Sequence, residues 1–192
     1  MMRLFVGIEI DHRVVQKIAE CLDELRRRVS SRAPVAKISW VPPERLHVTV
    51  RFIGEAGEVE VERITASLAP TLSVEHFEAE FRGVGAFAER GAPRVFWAGI
   101  GAGLERFAAV EREVTARLDE CGIGPEKRPY RPHVTLGRVR EPAGLRARPV
   151  LEGLDDRAFG TSAVGAITLF QSRLSPKGSV YVPLQSTKLR RA

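Results

Sequence analysis

The chain is poor in the residues that most metal, redox and cofactor devices require. Only two of its 192 residues are cysteines, Cys21 and Cys121, and no Cys-x-x-Cys occurs. Both fall on helix-like stretches and read as small packing residues rather than a disulfide. The four histidines show no His-x-x-x-His or other zinc spacing, so no metal centre is expected. Gly83-Val84-Gly85 lacks the spacing of a phosphate-cradling loop, and nothing else asks for a cofactor. No apolar run approaches the roughly 18 residues that span a bilayer. The opening Met1 to Ile10 is too short and too soon acidic for a secretory signal, and a cytoplasmic location is the expectation. No low-complexity linker divides the chain. Residues 1–192 are expected to form one domain of two lobes, a monomer with no obligate protein partner.

What is present is a repeated tetrapeptide. His47-Val48-Thr49-Val50 returns 86 positions later as His133-Val134-Thr135-Leu136. In a strand, alternate side chains share a face, so the His and Thr of each copy lie together while the aliphatic neighbours turn to a core. A single His-x-Thr in a strand is ordinarily structural, whereas two near-identical copies point to function. Histidine titrates nearest neutrality, at about 6.5 when unperturbed. One imidazole can therefore accept a proton from a nucleophile while the other donates to a leaving group. Threonine hydroxyls beside them can donate to the non-bridging oxygens of a phosphate. The set suits attack on a phosphodiester, above all a strained cyclic one, without a metal or a covalent intermediate.

The charge distribution agrees. The net charge is +6, and residues 125–148 alone hold seven basic and two acidic residues, a local +5 around the second motif. Such a concentration is an electrostatic footprint for phosphates. Arg131 and Arg45 lie two residues before the two histidines, and Arg51 lies four after His47, so strand parity places all three on the histidine face. Arg131 and Arg51 are the candidates for phosphate contact, with Thr49 and Thr135. Parity sends Phe52 to the core. Position 137 is Gly, leaving nothing to match Arg51 in the second copy. Trp40 and Tyr130 flank the motifs and could stack on a base, although packing accounts for Trp40 equally well. His12 and His76 lack a Thr two residues on and are expected to be solvated.

The hydrophobic pattern mixes strands and helices. Strands are predicted over 3–10, 37–41, 47–54, 77–87 and 94–100, and again over 164–171 and 180–185. Val14, Ile18, Leu22, Leu25 and Val29 mark an amphipathic helix with Asp11 as its N-cap. A second helix is predicted over 59–72. A third is carried by Leu104, Phe107, Val110, Val114 and Leu118 and closed at Gly122. A short helix is expected within 145–156, turns over 89–93 and 175–178, and a frayed basic tail over 188–192. Each half carries a strand, a long helix and a His motif, which suggests two similar lobes with a groove between them.

At this point the chain resembles the two-histidine phosphoesterases, and within them the RNA 2′,3′-cyclic phosphodiesterases first named 2′-5′ RNA ligases. The likeness lies in Arg3-Leu4-Phe5-Val6-Gly7-Ile8, in Trp40-Val41-Pro42-Pro43-Glu44-Arg45-Leu46-His47-Val48-Thr49, and in Arg51-Phe52-Ile53-Gly54-Glu55. It continues through Pro93-Arg94-Val95-Phe96-Trp97-Ala98-Gly99-Ile100 and Tyr130-Arg131-Pro132-His133-Val134-Thr135-Leu136-Gly137-Arg138. Leu169-Phe170-Gln171-Ser172 and Tyr181 complete it. The resemblance implies a bilobal α+β fold, with two antiparallel sheets related by a pseudo-two-fold, helices outside and the active-site groove between lobes. It implies an RNA partner with a 2′,3′-cyclic phosphate end, hydrolysed to a 2′-phosphate. It makes His47 the donor to the 3′ oxygen and His133 the acceptor that activates water. Readings that share the site are 2′-5′ ligation and hydrolysis of small cyclic nucleotides; a reading from another class is RNA binding without catalysis.

Overall fold

A computed structural model describes residues 1–89, 91–126, 128–175 and 178–191. The expected turn over 175–178 and the basic Lys127 lie partly or wholly outside these residues. Among the described residues no helix is long and apolar enough to cross a membrane.

The first strand, β1 (Met2–Glu9), leads into α1 (His12–Arg32), whose start is capped as expected: the Arg13 N–H donates to Asp11 Oδ1 at 2.8 Å. The apolar stripe of α1 is buried along its whole length, together with Cys21. Both cysteines are free, and burial pushes the Cys21 thiol above its ordinary pKa. A short strand, β2 (Lys37–Trp40), and one 3-10 turn over Pro43–Arg45 deliver the chain to β3 (His47–Ala56), which carries the first motif. Then come α2 (Glu58–Leu68), β4 (Leu72–Glu75), β5 (Phe77–Glu89), β6 (Ala92–Ala102) and α3 (Leu104–Asp119). The second motif opens β7 (Val134–Glu141), followed by α4 (Ala147–Leu151), β8 (Ala158–Val164), β9 (Ala166–Ser175) and β10 (Gly178–Arg190).

Three expectations shift. The second helix stops at Leu68, because Leu72 turns into β4 and is buried there beside β10. The tail is not frayed: β10 runs to Arg190, and Leu189, 3% exposed, pairs with Leu72. β8 was not visible in the pattern, although Phe159 and Val164 on it are buried.

The expected pair of antiparallel sheets is present but joined. The strand order is β4-β10-β9-β1-β3-β7-β6-β5-β8, with β2 on the free edge of β7. Every pairing is antiparallel except β10 with β4. The two halves meet where β3 and β7 pair at Val48 and Val134. Beyond that pair β2 replaces β3 as the neighbour of β7, over Gly137 to Glu141.

The helices do not stay with their own halves. α1 packs on β8 and α4, and α3 packs on β3, β4 and α2. The Asp11 N–H donates to Ser162 Oγ of β8 at 2.8 Å, and Arg28 donates to the carbonyls of Val150 and Glu152. On the other side Glu113 of α3 accepts from Ser73, and Ser67 of α2 donates to the Arg117 carbonyl. The apolar faces of both helices share one continuous core with the undersides of both half-sheets. Each motif strand is thus supported by structure from both halves.

Candidate active site

Antiparallel pairing of Val48 with Val134 decides the geometry. Both valines are fully buried under the sheet. Their neighbours therefore project together from the opposite face: His47 and Thr49 from β3, His133 and Thr135 from the start of β7. Each histidine is oriented in the same way. His47 Nδ1 lies 2.7 Å from the Arg45 carbonyl, and His133 Nδ1 lies 2.7 Å from the Arg131 carbonyl, two residues back in both cases. A carbonyl only accepts, so Nδ1 bears hydrogen in both rings and Nε2 is the working nitrogen. His47 Nε2 lies 3.0 Å from Thr49 Oγ1.

Burial is the largest influence on both imidazoles and lowers both pKa values below the ordinary 6.5; the Nδ1 bonds oppose it. Arg138 lowers both further, and His133 lowers His47. Unliganded, the site therefore favours two neutral imidazoles at neutral pH. An anion bound between them would offset the burial cost and restore a proton to one.

The surroundings of the two rings differ in kind. His47 sits among aromatic rings, with Phe5 at 5.0 Å and Tyr181 edge-on at 5.3 Å. Gly7 makes room for it: a Cβ there would stand 3.2 Å from His47 Cδ2. A cavity of about 350 Å³ adjoins it, lined in part by His12, Glu44, Phe170 and Tyr181. His133 meets one ring edge-on, Phe87 at 5.0 Å, and adjoins a cavity of about 430 Å³ that includes Arg82, Trp97 and Arg131.

Two matched irregularities overturn part of the parity argument. In β3, Thr49 pairs with Gly7 but Arg51 pairs with Val6, so Val50 is an extra residue. In β7, Thr135 pairs with Trp97 but Gly137 pairs with Phe96, so Leu136 is an extra residue. A bulge of this kind reverses which side each later residue faces. Arg51 therefore lies under the sheet, 2% exposed, donating to the Gly124 carbonyl, and not on the histidine face as its spacing suggested. Phe52, placed in the core by spacing, is instead 50% exposed. Arg138 is exposed in the corresponding position of β7 and acts on both histidines.

The proposed base-stacking pair moves as well. Trp40 pairs with Gly137 on the underside, stacks on the buried Phe96 at 5.9 Å and carries the Arg26 guanidinium over its ring at 5.8 Å. A Cβ on Gly137 would stand 2.5 Å from that indole, so the glycine there serves packing. Tyr130 packs against the core, and its buried hydroxyl has no partner among the described residues. Burial, reinforced by the Glu111 carboxylate, raises its pKa. Neither residue lines the cavity beside His47 or the one beside His133. Arg131 is exposed at the cavity beside His133, and His12 is exposed at the other cavity. Phe52 and Arg138 were missed on the histidine face because spacing alone carries no sign of a bulge; Phe87 and Trp97 reach the cavity beside His133 from β5 and β6, distant in sequence from the motif. Among the described residues no three His, Cys, Asp or Glu side chains converge as metal ligands would.

Comparison with known proteins adds to this geometry. The 2′-5′ RNA ligase superfamily pattern matches residues 11–175. An RNA 2′,3′-cyclic phosphodiesterase of Archaeoglobus fulgidus is 33% identical over 184 residues, covering 96% of this chain and 98% of that protein. One from Aeropyrum pernix is 38% identical over 149 residues, covering 77% and 84%. A crystal structure from Thermus thermophilus superposes with a TM-score of 0.79 at 31% identity, covering 99% of both chains. Escherichia coli LigT in apo form shares the fold, with a TM-score of 0.72 at 22% identity and coverage of 99% and 98%.

Proposed function

The chain belongs to the 2′-5′ RNA ligase superfamily, and we propose that it hydrolyses the 2′,3′-cyclic phosphate end of RNA to a 2′-phosphate without a metal. The observation that carries the proposal is the Val48–Val134 pair, which gathers two Nδ1-anchored imidazoles and two threonine hydroxyls on one face beside Arg138.

In this reaction a water oxygen attacks phosphorus while His133 Nε2 takes its proton. The P–O3′ bond breaks and His47 Nε2–H protonates O3′. The P–O2′ bond is kept, so the product carries a 2′-phosphate. Thr49, Thr135 and Arg138 hold the non-bridging oxygens, with Arg131 at the nucleophile side. The assignment of His47 as acid rests on the resemblance; its tighter aromatic enclosure suits a ribose better than a water molecule. With a 5′-hydroxyl in place of water as the entering group, the same proton transfers would form a 2′-5′ linkage.

The negative charge of the bound phosphodiester is what stabilises a proton taken up from solvent on His47, since burial and Arg138 both work against the imidazolium in the free site. Phe52 replaces Trp40 and Tyr130 as the ring open to a base, adjoining Phe5 at 6.3 Å. The test is hydrolysis of a defined oligoribonucleotide with a 2′,3′-cyclic end in the presence of chelator. The expected product bears a 2′-phosphate only. A 3′-phosphate, or activity that chelator abolishes and added metal restores, contradicts the proposal.

A further inference from the structure

The cationic face of β7 does not end at Arg138. Arg140 is exposed, and its Nε donates to Ser39 Oγ at 3.1 Å. Ser39 lies opposite Arg138 in the β2–β7 register, so that bond keeps the Arg140 guanidinium on the face of Arg138 and His133. At a strand rise of roughly 3.3 Å per residue the two arginines are about 6.6 Å apart along β7. Neither has a carboxylate partner among the described residues, and the neighbouring Glu141 is taken by Lys37 at 2.9 Å. The corresponding positions of the first motif strand are Phe52 and Gly54, which carry no charge. Two guanidiniums side by side without a carboxylate repel each other and are relieved by anions. The reacting phosphate can serve Arg138; it leaves Arg140 without one.

We infer that Arg140 binds a second backbone phosphate of the substrate, so that the Ser39–Arg138–Arg140 edge selects an RNA strand over a single cyclic nucleotide. This rests on the proposed reaction and adds to it a residue that reads strand length. A phosphate contact of this kind tightens binding regardless of base sequence and weakens with salt through counterion release.

The test compares kcat/KM for a trinucleotide with a 2′,3′-cyclic end against that for a nucleoside 2′,3′-cyclic monophosphate. In Arg140→Gln the trinucleotide-to-mononucleotide ratio is expected to fall about five- to tenfold through KM, with Arg140→Lys restoring part of it. The salt dependence of trinucleotide binding should lose roughly one unit of slope. A merely structural Arg140 would lower both substrates together; an unchanged ratio, with or without loss of activity, overturns the inference. Failure of the wild-type protein to hydrolyse either substrate would instead refute the reaction. In that event fluorescence anisotropy of a trinucleotide ending in a 2′-phosphate, over the same salt series, still decides the strand contact: equal slopes for wild type and Arg140→Gln would overturn it.

Discussion

The two motif regions are built alike and furnished differently. Each begins with a histidine whose Nδ1 is fixed by the carbonyl two residues back, continues into a threonine on the same face, and carries an extra residue three positions past the histidine. After the bulge the first region shows Phe52 to solvent and the second shows Arg138. Around His47 stand Phe5, Phe170 and Tyr181; around His133 stand Phe87, Arg131 and, farther along β7, Arg140. The same backbone device thus presents two like-anchored imidazoles, and the proposed reaction has the side chains after it divide the substrate: sugar and base toward the aromatic half, negative charge toward the basic half. In the proposed reaction the duplicated geometry provides the acid–base pair, and departures from the duplication give it direction.

The largest effect expected is on the equivalence of the histidines themselves. His47→Ala and His133→Ala should each lower hydrolysis by about 10²–10⁴-fold. They should do so by different routes: loss of the acid removes the alkaline limb of the kcat/KM profile and loss of the base removes the acidic limb. Identical residual profiles would mean that the two are not divided between acid and base.

Next comes the pair that follows the bulges. Arg138→Gln should cut kcat/KM by about 10²–10³-fold, as expected for loss of a donor to developing phosphate charge. Because Arg138 holds both imidazole pKa values down, its removal should raise both, and the optimum of kcat/KM should move toward higher pH. Phe52→Ala should leave that optimum in place and raise KM for RNA roughly five- to tenfold, within the usual worth of base–aromatic stacking. If Phe52→Ala moved the pH optimum, or Arg138→Gln did not, the division between aromatic and basic halves would fail.

A smaller effect on catalysis belongs to Arg51. It donates to the Gly124 carbonyl in the connection that leads from α3 toward the second motif, so Arg51→Met should destabilise the fold by about 1–3 kcal/mol. Thermal unfolding should register this loss, while activity well below the melting temperature should change less than about threefold. A hundredfold loss at unchanged stability would return Arg51 to the phosphate.

The sequence disclosed the two histidines that share a face, the hydroxyls beside them and most elements, because periodicity and repetition are local signals. Val14 to Val29 announces α1 by spacing alone, and the Asp11 cap is where a cap should be. It misassigned Arg51 and Phe52 because one unpaired residue, Val50, reverses strand parity, and no residue type marks that position. Trp40 was ambiguous for a similar reason: its neighbour across the strand, Gly137, is 97 positions away, and only the fold shows the indole lying over it. The exchange of α1 and α3 between half-sheets was equally illegible, since an amphipathic stripe states that a helix is covered and not by what. Because that exchange merges both halves into one core, unfolding is expected to be a single transition whichever half is followed.

The central claim, that two like-built histidines perform opposite proton transfers, is tested most directly by a cyclic substrate in which sulfur replaces the 3′ oxygen. A thiolate leaves without needing a proton. Hydrolysis of this analogue by His47→Ala should recover to near the wild-type rate, while His133→Ala should remain as slow as on the oxygen substrate. Recovery of His133→Ala instead, or of neither variant, would contradict the assignment.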